Sequence, residues 1–388
     1  MKLVKLEFAE FPKGDRAWIL HPVDFGKINL IVGRNASGKT RLLNIIYALA
    51  TLLSGAKRDP YESGRYRATF DAKDGLATYE LHYEDRLILE ERYILAGEPV
   101  LERGRDGRGT LKAVDVDRLR FETPQNQLAA VLKRDAIQHA FLQELYQWAV
   151  SVKHYRFGTT MGADRLFVQE PRFDITPAPD NGTTPPDTLD PNQLFMIYKD
   201  GLARFGPAFN DAIIKDLRLL DYHITDIGLD YLQRSELQGV RLPAPPQVIF
   251  VQERDLPCKT RQIEMSQGMF RALNLAIQLN YWAQTGNEVC ILVDDIGEGL
   301  DFDRATRLIS LLINKASKHD FQIIMTTNDR FVMNKVPLEY WGVLERRRNK
   351  VRVVNQTTSP DTFGRFKKIG LNNFDFFARR MYRKQSAK

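Results

Sequence analysis

The N-terminal region alternates between hydrophobic and polar positions in a way that predicts a β-hairpin. Its two strands are centred on residues 3–8 and 18–20, where apolar side chains recur at alternate positions or in short runs. The segment Ile28–Val32, apolar at every position except Asn29, follows and predicts a buried strand. Beyond residue 40 the apolar side chains recur at three- and four-residue intervals, which is the spacing of a helix.

Short runs of alternating and aromatic-rich apolar residues between positions 67 and 101 predict an antiparallel β-subdomain. Tyr79 and Tyr83 mark the apolar positions of one strand, and Leu87 and Leu89 mark those of the next. Glycines separate the runs and indicate turns between the strands.

The period then changes from that of strands to that of helices. Apolar side chains at helical spacing predict helices over residues 127–150 and again over about 193–220. The segment 171–191 is rich in Pro, Thr and Asp and is predicted to be a loop or flexible linker. No sustained heptad repeat occurs before residue 250, so we do not expect a long coiled-coil arm.

The remaining pattern returns to strands that alternate with helices. Strands are predicted at 248–251, 289–293 and 322–325, and an amphipathic helix is predicted to begin near Ser266. The order of these elements predicts an α/β fold.

The elements group into three parts along the chain. Residues 1–125 and 246–388 are predicted to form the two halves of one lobe, and residues 126–245 are predicted to form a helical lobe inserted between them.

The composition is typical of a soluble globular protein. Of the 388 residues, 43% are hydrophobic and 27% are charged, and no apolar run approaches the roughly 18 residues that span a bilayer. We therefore expect a cytoplasmic protein that makes no membrane contact. Cys258 and Cys290 are too few for a disulfide framework and suit a reducing compartment. The formal net charge of +7 permits a phosphate-rich partner without requiring one.

The segment 28–40 gives the clearest indication of a ligand-binding site. Residues 28–40 read Ile-Asn-Leu-Ile-Val-Gly-Arg-Asn-Ala-Ser-Gly-Lys-Thr, an apolar strand that runs into the pattern GxxxxGK[ST]. A phosphate chain needs several backbone N–H groups turned toward it, and the two glycines let the loop wrap around the anion. Lys39 would reach the β- and γ-phosphates, and the Thr40 hydroxyl would bind Mg²⁺. The residues predicted to contact a nucleoside triphosphate are Gly33, Arg34, Asn35, Ala36, Ser37, Gly38, Lys39, Thr40 and Arg41.

Two later segments supply complementary chemistry. Ser266-Gln267-Gly268 opens a predicted helix, where Ser266 can cap the helix and donate to a γ-phosphate while Gly268 permits close backbone approach. Further along, an apolar strand ends in two carboxylates. Asp294 is placed to hold Mg²⁺, and Asp295 is placed to orient an attacking water.

In these motifs the chain resembles the ABC-type ATPases of the SMC and OLD groups. The resemblance rests on four ordered segments, at residues 33–40, 266–268, 291–295 and 300–301. It implies an ABC-type P-loop head with an antiparallel β-subdomain and a helical insertion, and it implies ATP and Mg²⁺ as cofactors. It also implies a homodimer or higher homo-oligomer in which the Ser-x-Gly motif of one subunit closes on ATP held by another.

The resemblance implies further site residues as well. Asp301 matches the D-loop, and Asn328 stands where the family often has a histidine that contacts the γ-phosphate. Gln125 or Gln127 would be the glutamine that senses Mg²⁺, although a surface or helix-capping role is an open alternative for both.

Two departures from the family pattern affect the expected mechanism. Asp295 stands where the family usually has the longer glutamate, and Asn328 cannot supply the positive charge of a histidine. We therefore expect an ATPase with low turnover, in which Asp295 and Lys39 are the catalytic residues.

From the spacing of the motifs we expect neither a transporter subunit nor an integral nuclease, and two functions stay open. Ser266 lies 226 residues beyond Thr40 (266 − 40), which argues against a transporter subunit, and 59 residues follow Asp329 (388 − 329), too few for a Toprim nuclease domain. One hypothesis is a stand-alone OLD-like ATPase that controls a separate effector protein in antiviral defence. The alternative is a RecF-like ATPase that binds DNA during repair.

The C-terminal region has features that both hypotheses must accommodate. Basic clusters at 346–352 and 379–388 can contact nucleic acid or an acidic protein surface, or lie in solvent. The aromatic segment 370–377 is expected to pack on the core, with partner docking as the alternative.

Overall fold

The computed structural model describes residues 1–12, 14–114, 118–157, 159, 193–232 and 245–383. The described chain divides into two compact units. The first comprises Met1–His154, Glu288–Asp295 and Asp320–Lys388, and the second comprises Tyr155–Asn287 and Ile296–His319. The predicted linker at 171–191 lies outside the described residues, and the three-part division of the sequence stays a prediction.

The secondary structure consists of strands and helices in the following order. The strands are β1 (Lys2–Glu10), β2 (Trp18–Asp24), β3 (Ile28–Val32), β4 (Ser63–Ala72), β5 (Gly75–Glu84), β6 (Leu87–Leu95), β7 (Glu98–Arg103), β8 (Arg108–Leu111), β9 (Leu119–Glu122), β10 (Val152–Arg156), β11 (Ile224–Tyr231), β12 (Gln247–Glu253), β13 (Lys259–Arg261), β14 (Val289–Asp294), β15 (Phe321–Thr327), β16 (Trp341–Arg347) and β17 (Lys350–Asn355). The α-helices are α1 (Lys39–Leu53), α2 (Ala129–Leu132), α3 (Ala140–Ser151), α4 (Leu194–Phe205), α5 (Pro207–Leu219), α6 (Gln267–Thr285), α7 (Phe302–Lys318), α8 (Arg330–Lys335), α9 (Pro360–Lys367) and α10 (Asn373–Ala378).

One large mixed sheet organises the first unit. Its strand order is β10-β14-β15-β3-β16-β17-β2-β1-β4-β5-β6-β7-β8-β9. Strands β14, β15, β3 and β16 run parallel, so their carboxyl ends meet at one edge of the sheet. That edge is where ligands bind in parallel α/β sheets, and it carries the GxxxxGK[ST] loop after β3 and Asp294 at the end of β14.

The predicted β-hairpin and antiparallel β-subdomain are both present. Strand β1 pairs with β2 and also with β4, and β4 to β9 continue as an antiparallel meander. The predicted phase of β6 is wrong at its start, because Ile88 is buried whereas Leu87 is 37% exposed. A bulge opposite His82 and Tyr83 shifts the register there, and such a shift exchanges inward and outward positions.

Helix α1 buries its apolar face in the first unit, as the helical spacing predicts. Leu42, Ile46 and Leu49 are fully buried, and the helix contacts β14, β15 and α3. The region 127–150 contains two helices, α2 and α3, rather than one continuous helix.

The second unit has a helical core. Helix α6 contacts α4, α5 and α7, and a three-stranded sheet of order β11-β12-β13 completes the unit. The prediction that α6 is amphipathic is wrong, because every residue from Gly268 to Trp282 is buried. Its polar residues are hydrogen-bonded inside the unit: Asn280 donates to Asp216 at 2.7 Å, and Tyr281 donates to Asp200 at 2.5 Å. Such bonds remove the cost of burying polar groups.

Within the described parts of the chain, none of the helices combines the length and the apolar character that crossing a membrane would require.

Candidate functional site

The loop after β3 forms a cradle at the start of α1. Gly38 adopts a left-handed conformation with φ of 109°, which glycine accepts without steric cost, and it occupies the N-cap position of α1. No described residue accepts a hydrogen bond from the backbone N–H of Gly38, Lys39 or Thr40. Free donors at a helix N-terminus attract an anion, so the loop has the geometry of a phosphate site.

The Lys39 side chain folds back over this loop. Its ammonium donates hydrogen bonds to the carbonyl oxygens of Gly33 at 3.0 Å and Arg34 at 3.4 Å, and the residue is only 6% exposed. Burial lowers the pKa of Lys39 below its ordinary value, and the nearby Asp295 and Asp294 carboxylates partly oppose that effect. A phosphate anion at the loop would favour the charged ammonium in the same way as these carboxylates.

Three elements bring their polar side chains together beside Lys39. Asp294, at the end of β14, accepts hydrogen bonds from the Thr40 hydroxyl at 3.1 Å and from the Thr326 hydroxyl at 2.7 Å. The Thr326 hydroxyl also accepts a hydrogen bond from the Asp295 backbone N–H at 2.9 Å. Thr326 therefore fixes both carboxylate residues from the neighbouring strand.

Asp295 leaves the strand in an unusual backbone conformation. Its φ of 51° lies in the left-handed region, which aspartate adopts more readily than most residues. Its carboxylate accepts a long hydrogen bond of 3.4 Å from the Asn328 side-chain amide. The structure thus places the predicted catalytic Asp295 and the predicted phosphate contact Asn328 side by side.

The residues at this edge fit a Mg²⁺ ion bound together with phosphates. Thr40 and Asp294 present a hydroxyl and a carboxylate within hydrogen-bond distance of each other. Mg²⁺ characteristically takes one or two protein oxygens and completes its shell with phosphate and water. No cluster of three His, Cys, Asp or Glu side chains suited to a metal occurs in the described chain, so a site built from protein ligands alone is not found there.

The two candidate glutamines do not join this group. Gln125 is exposed and makes no hydrogen bond to Thr40 or Asp294 among the described residues; its backbone carbonyl accepts from Ile88. With its amide oxygen toward Arg58, Gln127 accepts hydrogen bonds from that guanidinium at 3.0 and 2.8 Å. A Mg²⁺-sensing role for Gln125 stays a prediction.

An aromatic residue that the motif does not include supports the loop. The face of Trp18 lies against Gly38, where an added Cβ would come within 3.3 Å of the ring. The Arg41 guanidinium lies 4.6 Å from the centre of the Trp18 ring and forms an ion pair with Glu10. Arg41 is therefore held by the N-terminal hairpin, whereas Arg34, Asn35 and Ala36 are exposed.

The Ser-x-Gly motif belongs to the second unit and opens α6. Ser266 is the N-cap residue, and its side chain accepts a hydrogen bond from the Met269 backbone N–H at 3.2 Å. Ser266 and Gln267 are exposed, whereas Gly268 is buried. The exposed end of the helix therefore presents a hydroxyl beside the backbone N–H groups of Gln267 and Gly268, for which the described residues provide no acceptor, and this arrangement suits an anion.

The start of α6 packs closely on the segment that leads into α7. A Cβ at Gly268 would lie 2.4 Å from the Gly299 carbonyl oxygen, so only glycine fits there. Arg271, one turn further along α6, donates to the Glu298 carbonyl oxygen at 2.7 Å. Asp301 caps α7 by accepting from the Arg304 backbone N–H at 3.0 Å, and this contact lowers the pKa of its carboxyl below the ordinary value. The Ser-x-Gly motif and the predicted D-loop are thus joined within one unit.

The solved structures that share this fold include SMC head domains. The chain is similar to the SMC head bound to the C-winged helix domain of ScpA, with a TM-score of 0.54 and 14% identity, over 91% of this chain and 97% of that one. It is also similar to the SMC head with an extended coiled coil bound to the C-terminal domain of ScpA from Pyrococcus furiosus. There the TM-score is 0.50 and the identity 12%, over 94% of this chain and 99% of that one.

These likenesses confirm the predicted fold class: the chain has an α/β fold of the kind found in SMC heads, which is an ABC-type P-loop ATPase fold. Neither a protein-family model nor a curated protein matches the sequence.

Proposed function

We propose that this protein is an ATP-dependent switch, which binds Mg²⁺ and ATP at the loop after β3 and hydrolyses ATP slowly. The observation that carries the proposal is the group formed by Lys39, Thr40 and Asp294 at the carboxyl edge of the parallel strands. Lys39 would bind the phosphates, Thr40 and Asp294 would hold Mg²⁺, and Asp295 would orient the attacking water. Loss of ATP binding in Lys39→Ala, with unchanged circular dichroism, is the direct test.

We further propose that two copies of the chain share each nucleotide. Ser266 caps α6 at an exposed position, and the free donors beside it suit the γ-phosphate of an ATP held by a partner. Because one chain would supply Lys39 and the other Ser266, a change in either residue would disable every site to which the altered chain contributes that residue.

Mixing two defective chains tests this arrangement. Lys39→Ala and Ser266→Arg should each abolish hydrolysis alone, since every site of a homodimer then lacks one component. In a mixed dimer one site carries both defects and the other carries neither, so one site of each mixed dimer regains activity, which is about a quarter of all sites when an equimolar mixture exchanges partners freely. A mixture with no recovered activity, despite mixed dimers detected by two affinity tags, would contradict sharing.

The proposal of low turnover is supported by the residue types at positions 295 and 328. The Asp295 carboxylate is one methylene shorter than glutamate, and Asn328 faces it without positive charge. Asp295→Glu should raise the hydrolysis rate if the reach of the side chain is limiting, and Asn328→His should raise it if charge is limiting. A rate of hundreds per second in the unaltered protein would exclude the slow switch.

We propose that the switch controls a separate effector protein, in a role like that of stand-alone OLD-like ATPases in antiviral defence. This part of the proposal is supported by the order of the sequence motifs, which resembles that of the OLD group. Co-purification of an effector from the native host, with capture that depends on ATP and is lost in Lys39→Ala, would support it. DNA binding that requires ATP, with no captured effector, would favour the RecF-like alternative.

A further inference from the structure

Two basic clusters that are distant in sequence meet beside the loop after β3. Arg346 near the end of β16 and Arg348 in the turn that follows it line one side, and the segment after α10 contributes Arg380 and Arg383. Together with Arg34 of the loop, they line a cavity of about 370 Å³ within the first unit. We call this cavity the arginine pocket.

The positive charge of the arginine pocket is poorly compensated. Glu345 is the one carboxylate among its lining residues, and it is already bound by Arg352 at 2.7 Å and by Arg383 at 2.5 Å. These hydrogen bonds outweigh the effect of burial and lower the pKa of Glu345. Across the described residues, no carboxylate forms an ion pair with Arg34, Arg348 or Arg380, whose charges therefore remain available to a ligand.

The arginine pocket and the phosphate cradle use different residues of the loop: residues 34–37 line the pocket, whereas the cradle donors described above are the backbone N–H groups of Gly38, Lys39 and Thr40. On the side of the arginine pocket, the contact with the loop is to a carbonyl group: Arg346 donates a hydrogen bond to the Ala36 carbonyl oxygen at 3.4 Å. Because Gly38, Lys39 and Thr40 are not among the lining residues, a ligand in the arginine pocket need not displace a triphosphate from the cradle.

We infer that the arginine pocket is a second anion site, which binds a phosphate group of a nucleic acid strand or of a free polyphosphate. The number of guanidinium groups in the arginine pocket favours a phosphate over a carboxylate side chain as its ligand. A carboxylate has two oxygens and one charge, whereas a phosphate offers more oxygens to several planar donors at once. The cavity volume also falls within the range of about 300–1,000 Å³ typical of small-ligand sites.

The experiment uses the full chain carrying Lys39→Ala, so that the phosphate cradle does not contribute binding. The pocket variant adds Arg348→Gln and Arg380→Gln. The matched control adds Arg347→Gln and Arg379→Gln, which remove the same charge from adjacent positions that do not line the cavity. A fluorescent single-stranded oligonucleotide and unlabelled tripolyphosphate are the two probes, titrated at low salt.

The pocket variant should lose at least about tenfold in affinity for a phosphate probe, because charge-assisted hydrogen bonds are lost, while the control should lose less than about threefold. If the pocket variant loses oligonucleotide binding in this way, the ligand of the arginine pocket is a phosphate of a nucleic acid strand. If only tripolyphosphate binds and its binding is lost, the ligand is a free polyphosphate. Equal losses in variant and control, or binding of an acidic peptide with neither phosphate probe bound, would overturn the inference. So would an equal loss of ATP affinity when Arg348→Gln and Arg380→Gln are placed in the chain with intact Lys39, because the cavity would then belong to the ATP site.

Discussion

Replacing Thr326 with valine removes one hydroxyl from the centre of the candidate site while preserving the shape of the side chain. Valine is β-branched and suits a buried strand, so the change isolates the hydrogen bonds from packing. Thr326 is fully buried, and its hydroxyl joins the Asp294 carboxylate to the Asp295 backbone N–H at 2.7 and 2.9 Å.

The cost can be worked from these two contacts. A hydrogen bond to a charged group contributes about 1.5–3 kcal/mol net, and a buried N–H left without an acceptor costs about 1–3 kcal/mol. The Asp294 carboxylate keeps its bond from Thr40 in the variant, so the loss is partial, and we expect a decrease of about 3 kcal/mol in unfolding free energy. For a unit of about 150–250 residues this lowers Tm by roughly 6–12 °C.

Thermal unfolding followed by tryptophan fluorescence provides the assay, because Trp18 and Trp341 are buried in the same unit as Thr326. Thr326→Ser keeps the hydroxyl and should lose only about 1 kcal/mol for the missing methyl group. The Mg²⁺ concentration required for half-maximal ATP hydrolysis should rise in Thr326→Val and stay near that of the unaltered protein in Thr326→Ser. If the valine variant melts within about 2 °C of the unaltered protein and keeps its Mg²⁺ requirement, Thr326 does not organise the site.

Three further outcomes follow from other contacts. Gly268→Ala should destabilise the second unit by about 1–3 kcal/mol, since its Cβ would collide with a backbone carbonyl. The loss should exceed that of Gly286→Ala, because Gly286 has open space around it and the substitution carries only a backbone penalty of about 1 kcal/mol. Equal melting temperatures of the two variants would contradict this. ATP affinity should fall by up to about tenfold per pH unit above the lowered pKa of Lys39, because binding then requires uptake of a proton. An affinity that stays constant in fluorescent-ATP titrations from about pH 7 to about pH 10 would exclude this role of the Lys39 charge. Glu91→Gln should cost about 3–5 kcal/mol in denaturant unfolding, because it leaves the Arg103 guanidinium buried without its charged partner; a loss below about 1 kcal/mol would show that the pair is unimportant.

Local sequence patterns were sufficient to predict the loop geometry and its place in the fold. The buried strand before Gly33 and the helical spacing after Thr40 identify the cradle because both signals act over a few residues. The carboxylates at 294 and 295 could be predicted in the same way, since a run of apolar residues that ends in acidic ones can be recognised without any long-range information.

The supporting contacts could not be predicted because they depend on which strands become neighbours. Thr326 reaches Asp294 only because β15 pairs in parallel with β14, and Trp18 reaches Gly38 through the path of the N-terminal hairpin. Similarly, no sequence period reveals the bulge that buries Ile88 in place of its neighbours. The basic residues were identified, but their convergence on Arg34 depends on where β16 and the C-terminal segment pack.

The burial of α6 explains how the exposed Ser266 is held in one position at the start of the helix, as the proposed phosphate contact requires. The direction of the N–H groups at a helix start follows the helix axis, and here that axis is held by hydrogen bonds from Asn280 to Asp216 and from Tyr281 to Asp200. The Arg271 contact to Glu298 holds the first turn as well. The polar residues that make the helix look amphipathic in sequence are therefore the ones that fix it in place. Ser266 consequently needs no supporting loop of its own, because its position is set by the packed helix behind it.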